Sequence, residues 1–243
     1  MIELTQQEPT GRWQKRDLWL GLGMLLAGYA GIIAAILFLG SDGDPREDPN
    51  VALVSSMASL GFTIWLGAAV LILATRRDIS LAGLGFREAK SPVKWIAIGV
   101  VGSYSIMVVY SLIVLGIEEA TGNDLSRFTE GNVPDDLAFD SAVWVVLGLS
   151  VLVAAPICEE LFFRGFLFRA VEQHWGVMAG IVVSGFIFGS IHLEPSVIAP
   201  FWAVGMLLAW VYHRSGSLWT TIAAHAIFNG IGFIALLATT RAG

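Results

Sequence analysis

The chain has 243 residues, of which 56% are hydrophobic and only 14% charged, with a mean hydropathy of +0.72. Soluble domains carry about 25% charged residues, so this composition excludes an ordinary soluble globule and points to a membrane protein. The net charge of −6 comes from acidic residues gathered in loops, the lack of a basic patch interleaved with aromatics excludes a nucleic-acid partner, and a single cysteine, Cys158, excludes an intrachain disulfide framework.

In chain order, apolar segments of spanning length cover approximately 17–40, 51–74, 93–117, 141–171, 177–193, 196–212 and 217–238. Strands of a membrane barrel would alternate at period two and be about half as long, so all seven read as helices. The first run, from near Leu18, reads as a span rather than a cleavable signal, because it is long enough to cross and no A-x-A-like site follows it. The fourth is too long for one simple crossing and contains Pro156, which predicts a kinked or partly interfacial helix. The expected fold is therefore an all-α, polytopic transmembrane helix bundle of about seven spans, eight if one is broken or re-entrant. It divides into N-terminal transmembrane helices with an inside basic loop (1–140, about three spans) and a C-terminal helix bundle that carries the chemistry (141–243).

Lysine and arginine placement orients the bundle. With the N-terminus inside, the inside segments hold Arg12, Lys15, Arg16, Arg76, Arg77, Arg87, Lys90, Lys94, Arg164, Arg169 and Arg214, and the outside segments hold only Arg46, Arg127 and Arg241. This bias predicts a multi-pass integral membrane protein with a cytoplasmic N-terminus and the acidic loops "SDGDPREDPN" and "EEATGNDLSRFTEGNVPDD" outside. Short loops point to a prokaryotic plasma membrane. Tryptophans near the predicted interfaces, among them Trp13, Trp19 and Trp95, read as belt anchors.

The stretch "VLVAAPICEELFFRGFLFRA" (151–170) places Glu159, Glu160 and Arg164 in an apolar run. An acidic or basic residue at mid-membrane costs about 2.5–3.5 kcal/mol, so three cost on the order of 9 kcal/mol before pairing. Depth decides whether such groups meet. At 1.5 Å per residue, Glu159 lies about 18 Å from the inside end of its helix, His192 roughly 22 Å along the fifth, and His225 and Asn229 about 12 and 18 Å along the seventh. Four polar groups from three helices therefore fall in one slab, which predicts that they face one another across a water-filled cavity. Glu160 and Arg164 are i and i+4, the favourable order for an ion pair. Glu159, turned about 100° away, is left free for chemistry. His225 and Asn229 are also i and i+4; Phe188 lies one turn before His192, and Gly185, Gly189 and Ser190 would let a neighbouring helix approach closely.

At these residues the sequence resembles the CPBP family (CAAX proteases and bacteriocin-processing proteins), the intramembrane glutamic endopeptidases also described as abortive-infection-like proteins. "EELFFR" matches E-E-x-x-x-R after a "PICEE" lead-in, "FGSIH" matches F-x-x-x-H, and "HAIFN" matches H-x-x-x-N, in the family's order over about residues 140–235. The resemblance implies an intramembrane peptide hydrolase with no cofactor or metal. In it Glu159 and His192 hold and deprotonate the attacking water, His225 and Asn229 stabilise the oxyanion, and Glu160 with Arg164 fixes the geometry, Phe188 supporting. The implied partner is a peptide or membrane-protein substrate entering from the bilayer or the inside face, beside membrane lipid.

Other readings of the same residues stay open at this stage. His174 and His213 read as interfacial, Cys158 as packing, and Glu194 as a solvated turn carboxylate. The cluster could belong to a non-catalytic scaffold or bacteriocin-immunity protein, or Glu159, His192 and His225 could be zinc ligands, although no H-E-x-x-H helix is present. Purified protein is expected to keep peptidase activity in a strong chelator and to hold substoichiometric zinc by elemental analysis; stoichiometric zinc with chelator-sensitive activity would reassign the three residues as ligands.

Overall fold

The computed structural model describes residues 11–39, 48–129 and 141–240, all of whose regular elements are helical. Most of the acidic stretch at 41–50, the end of the second acidic loop, Arg46 and Arg241 lie outside the described residues. Helix α1 (Lys15–Leu39) is followed by α2 (Pro49–Thr75), a single turn α3 (Leu81–Leu84) and α4 (Pro92–Thr121). Local chemistry sets these bounds. Pro49 and Pro92 open α2 and α4 at positions where the missing N–H costs nothing, and the Asp48 side chain accepts from Asn50 N at 2.8 Å. Gly122, at φ +68, ends α4.

A continuous 35-residue helix then runs over Ser141–Trp175. It comprises α5 (Ser141–Leu149), a wide turn at Ser150–Ala154, α6 (Ala155–Glu160), a second wide stretch at Leu161–Phe168 and α7 (Arg169–Trp175). The kink expected at Pro156 is thus accommodated by wider winding just ahead of the ring. The chain turns at Gly176 into α8 (Val177–Ser190), returns as α9 (Pro195–Ser215) and ends with α10 (Leu218–Thr240).

Among the described residues six helices are long and apolar enough to cross a membrane; α8, at 14 residues, is shorter. The predicted fifth span at 177–193 is therefore overlong: the helix stops at Ser190 and His192 lies in the turn beyond it. At 1.5 Å per residue α8 covers about 21 Å, less than the roughly 30 Å hydrocarbon thickness, and it packs against α9 and the long helix. Among the described residues no eighth span is present.

The segments predicted to lie inside meet at one end of the bundle. Arg77 holds buried Asp17 in a two-pronged pair (2.8 and 2.9 Å), Arg12 donates to Gln173 O (3.2 Å), and Arg87 donates to Gly216 O (2.6 Å). Tyr212 donates to Leu84 O (3.1 Å), Arg169 to Gly83 O, and His213 pairs with Glu172 (3.2 Å). One prediction for this end needs correction: Trp13 is not a belt anchor but is 2% exposed and packs edge-on against Phe166 at 4.9 Å. Arg164, counted with the inside segments and expected to pair with Glu160, is completely buried. Trp19 does face outward, with Phe38, Val108, Leu112 and Ile234, over the surface available to lipid.

The inner core is the wide stretch of the long helix, where every residue from Leu161 to Phe168 is buried. Alpha-8 and α9 reach it by a close approach. A Cβ on Gly185 would lie 2.5 Å from Met206 N, and one on Gly205 would lie 2.8 Å from Gly185 Cα. The small residues of "FGSIH" therefore sit where a second helix backbone comes closest. Gly185→Ala is expected to destabilise the protein by about 1–3 kcal/mol through overpacking, read as a lower unfolding midpoint in detergent, whereas Gly23→Ala, whose methyl meets nothing within 4 Å, leaves that midpoint unchanged.

Candidate active site

The site begins with a proline. Pro156 has no N–H, and in the wide turn before it Ala155 N reaches back five residues to Ser150 O. The next carbonyl, Val151 O, would meet the proline nitrogen in the same winding and so has no donor within its own helix. Asn229 Nδ2, on α10, supplies one at 3.0 Å. Wide turns of this kind occur mostly at functional positions, and this one ties the long helix to α10 at the depth of the motifs.

One turn further on, Glu160 and Arg164 form their pair at 2.7 Å, both completely buried. Arg164 Nη2 also donates to Gly205 O at 3.1 Å, and its guanidinium lies 4.6 Å from the Phe188 ring centroid. The close approach of α8 and α9 is what brings that carbonyl and that ring within reach. Glu160 Oε1 accepts a second bond, from His225 Nδ1 at 3.0 Å. Because a carboxylate only accepts, that nitrogen carries the proton and Nε2 is the one left over.

Glu159 is placed differently. It is 8% exposed and lines a cavity of about 570 Å³, and its Oε2 has no protein hydrogen-bond partner among the described residues. His192, His225, Asn229 and Phe188 line the same cavity. His192 Nδ1 donates to Phe188 O at 2.9 Å, leaving Nε2 as an acceptor on the neutral ring, and the ring stands edge-on to Phe201 at 4.6 Å. The four residues singled out from depth alone thus share one chamber, with Glu160 and Arg164 behind its wall. Phe188 touches Arg164, His192 and His225 at 4.6, 5.2 and 5.8 Å between centres.

The remaining candidates separate from the chamber. Cys158 packs on α2, where Gly67 makes room: a Cβ there would lie 2.8 Å from the sulfur. Glu194 is exposed and does not line the cavity. Among the described residues no three His, Cys, Asp or Glu side chains converge as a metal site.

Sequence reasoning missed the groups that α1, α2 and α4 bring. Ser59, Thr63, Ser103 and Tyr104, with Ser150 of the long helix, add hydroxyls to a chamber whose apolar lining includes Met107, Leu147, Phe201, Phe228 and Phe233. Tyr104 donates to Phe228 O at 2.9 Å, one residue before Asn229. Tyr29, on α1, donates to Ile191 O, one residue before His192. The signal for Tyr29 was a polar-tipped residue among small ones in "LLAGYAGII", which spacing within the C-terminal half cannot connect to the site.

Residues 141–231 match the family described as type II CAAX prenyl endopeptidase Rce1-like. The chain is also 29% identical over 89 residues to a Bacillus subtilis (strain 168) protein named "Putative membrane peptidase YdiL", a stretch covering 37% of this chain and 36% of that protein. The match thus spans little more than a third of the length of that curated relative. No solved structure matches the chain at a significant level. The three motifs all fall inside the matched stretch, so the similarity to the Rce1-like family is carried by the residues that line or back the chamber.

Proposed function

We propose that the protein is an intramembrane glutamic-type peptide hydrolase in which Glu159 and His192 activate a water. The observation that carries this reading is the asymmetry of the two glutamates: Glu160 Oε1 is bonded to Arg164 and His225 behind the cavity wall, while Glu159 lines the cavity itself; each keeps its Oε2 without a protein partner among the described residues. The family match supports a membrane peptidase, and the six spanning helices fit one embedded in a bilayer.

In the proposed reaction a water sits between the Glu159 carboxylate and His192 Nε2. Glu159 takes one proton as the water oxygen attacks the scissile carbonyl carbon, and returns it to the amine nitrogen as the C–N bond breaks. Positioned acid–base work of this sort contributes about 10²–10⁴-fold in rate. The oxyanion accepts from Asn229, whose amide has two N–H groups and uses one on Val151 O. His225, oriented by Glu160 through Nδ1, offers Nε2 to the same oxyanion, as a donor when that nitrogen carries a proton. Each fixed donor in a water-poor site contributes roughly 3–4 kcal/mol to the transition state.

The substrate is a peptide or membrane-protein segment reaching the chamber from the bilayer or the inside face. The helices of residues 1–140 form the chamber's outer wall, since α2 and α4 supply lining residues. The basic end of the bundle faces the cytoplasm of a prokaryotic cell, with the N-terminus on that side.

Two substitutions test the assignment. In quantitative proteomics of membrane fractions, Glu159→Ala is expected to remove peptides present with the wild type while expression and monodispersity stay unchanged; retention of every peptide and of full biological activity would favour a scaffold instead. Glu160→Ala is expected to cost about 3–5 kcal/mol of stability, because it strands the buried Arg164 charge, and to appear as lost folded yield before any effect on rate is read.

A further inference from the structure

We propose that Tyr29, on α1 and outside the family-matched segment, is a positioning residue for His192. The inference rests on the reading of His192 as the imidazole that holds the water.

His192 is not carried by a helix. It follows the end of α8 at Ser190 and belongs to the short connection that enters α9 at Pro195. Its Nδ1 is tied to Phe188 O at the end of α8 while its Cα belongs to the connection, so the direction of Nε2 depends on how the connection's backbone sits against that helix end. The backbone there is strained. Leu193 adopts φ +55, a left-handed conformation that costs a branched residue free energy, and its side chain is 68% exposed and contributes little packing to hold it. The conformation must therefore be held by neighbours.

Two contacts do so. Trp202 Nε1 donates to Ser190 Oγ at 3.1 Å, on the near side of the connection. The Tyr29 hydroxyl donates to Ile191 O, the carbonyl of the peptide group that contains His192 N. That same His192 N donates to Gly189 O at 3.2 Å, so this peptide group is bonded at both its N–H and its C=O. Tyr29 is itself fixed: its ring packs on Phe62 of α2 at 4.7 Å between centroids. Beside it, Gly28 leaves room for Phe62 and Trp65, which a Cβ would meet at 2.8 Å. An N-terminal helix thus reaches across the bundle to hold the peptide that aims the imidazole. Removing the hydroxyl frees the left-handed residue to relax, and the ring turns with it.

The test uses full-length protein in nanodiscs with ¹⁵N-labelled histidine. The chain has four histidines, and His192 is assigned by the signal lost in His192→Asn. The wild type is expected to show His192 as the Nδ1–H tautomer. Tyr29→Phe keeps the ring on Phe62 and removes only the hydroxyl; it is expected to give mixed tautomers at His192 with His174 and His213 unmoved. Glu159-dependent peptides in the membrane proteome should then fall on the order of 10–100-fold, the usual cost of about 1 Å of misplacement. Leu193→Gly in the same background is expected to restore the wild-type tautomer, since glycine adopts positive φ freely; this double variant also serves if Tyr29→Phe alone folds poorly. A His192 spectrum in Tyr29→Phe that superimposes on wild type, or a displaced ring that glycine does not restore, would overturn the proposal. A tautomer change without any Glu159-dependent peptide, in wild type or variant, would leave the positioning role standing and remove the peptidase reading.

Discussion

The structure depends on a fully buried ion pair. Taking Glu160 and Arg164 out of water costs several kcal/mol per ion, which their mutual attraction offsets only when the remaining donors and acceptors are also satisfied. Partners from three other elements meet this condition in part, leaving Glu160 Oε2 and Arg164 Nε without a protein partner among the described residues. Gly205 O of α9 takes one guanidinium nitrogen, the face of Phe188 on α8 covers the plane, and His225 of α10 bonds the carboxylate. None would be in reach if the α8 and α9 backbones stood at an ordinary side-chain separation. The glycines at 185 and 205 are thus part of the electrostatics as well as of the packing.

That pair separates the two adjacent glutamates by role. Glu160 accepts from a guanidinium and an imidazole on one oxygen, and its position fixes His225. Glu159, one residue earlier on the same helix, turns away from that network into the chamber. A carboxylate in such a place keeps its acceptor capacity for whatever enters. The widened winding on either side serves the same end. Ahead of Pro156 it leaves Val151 O to be met by Asn229, and beyond Glu160 it carries a stretch in which every side chain is buried. One helix thereby holds the acid, its structural neighbour and the anchor for the amide.

Much of this was legible in the residues. Helix lengths follow from hydropathy, because a backbone in hydrocarbon must satisfy itself internally. The Glu160–Arg164 pair and the shared face of His225 and Asn229 follow from helical spacing, and the common depth of Glu159, His192 and Asn229 from a fixed rise per residue. The misreadings have one physical origin: one-dimensional patterns carry no information about lateral neighbours. Trp13 sits where an interfacial tryptophan would sit and is buried because Phe166 stands beside it. The fifth span ends early because the chain turns at Ile191 and re-enters at Pro195, whose ring favours a first helical turn.

By itself the sequence determined a helical membrane bundle, the ion pair, the free glutamate and the depth at which the histidines lie, since each rests on local periodicity or on a transfer free energy summed along the chain. Only the tertiary structure decided that these groups share one chamber, which nitrogen of each imidazole is committed, and that helices outside the motif region line the walls. Those outcomes rest on contacts between residues far apart in the chain, such as Tyr29 with Ile191, 162 positions away, or Asn229 with Val151, 78 away. Such contacts are set by how closely backbones approach, and a glycine or a proline governs that approach without revealing from its own position which partner it will meet.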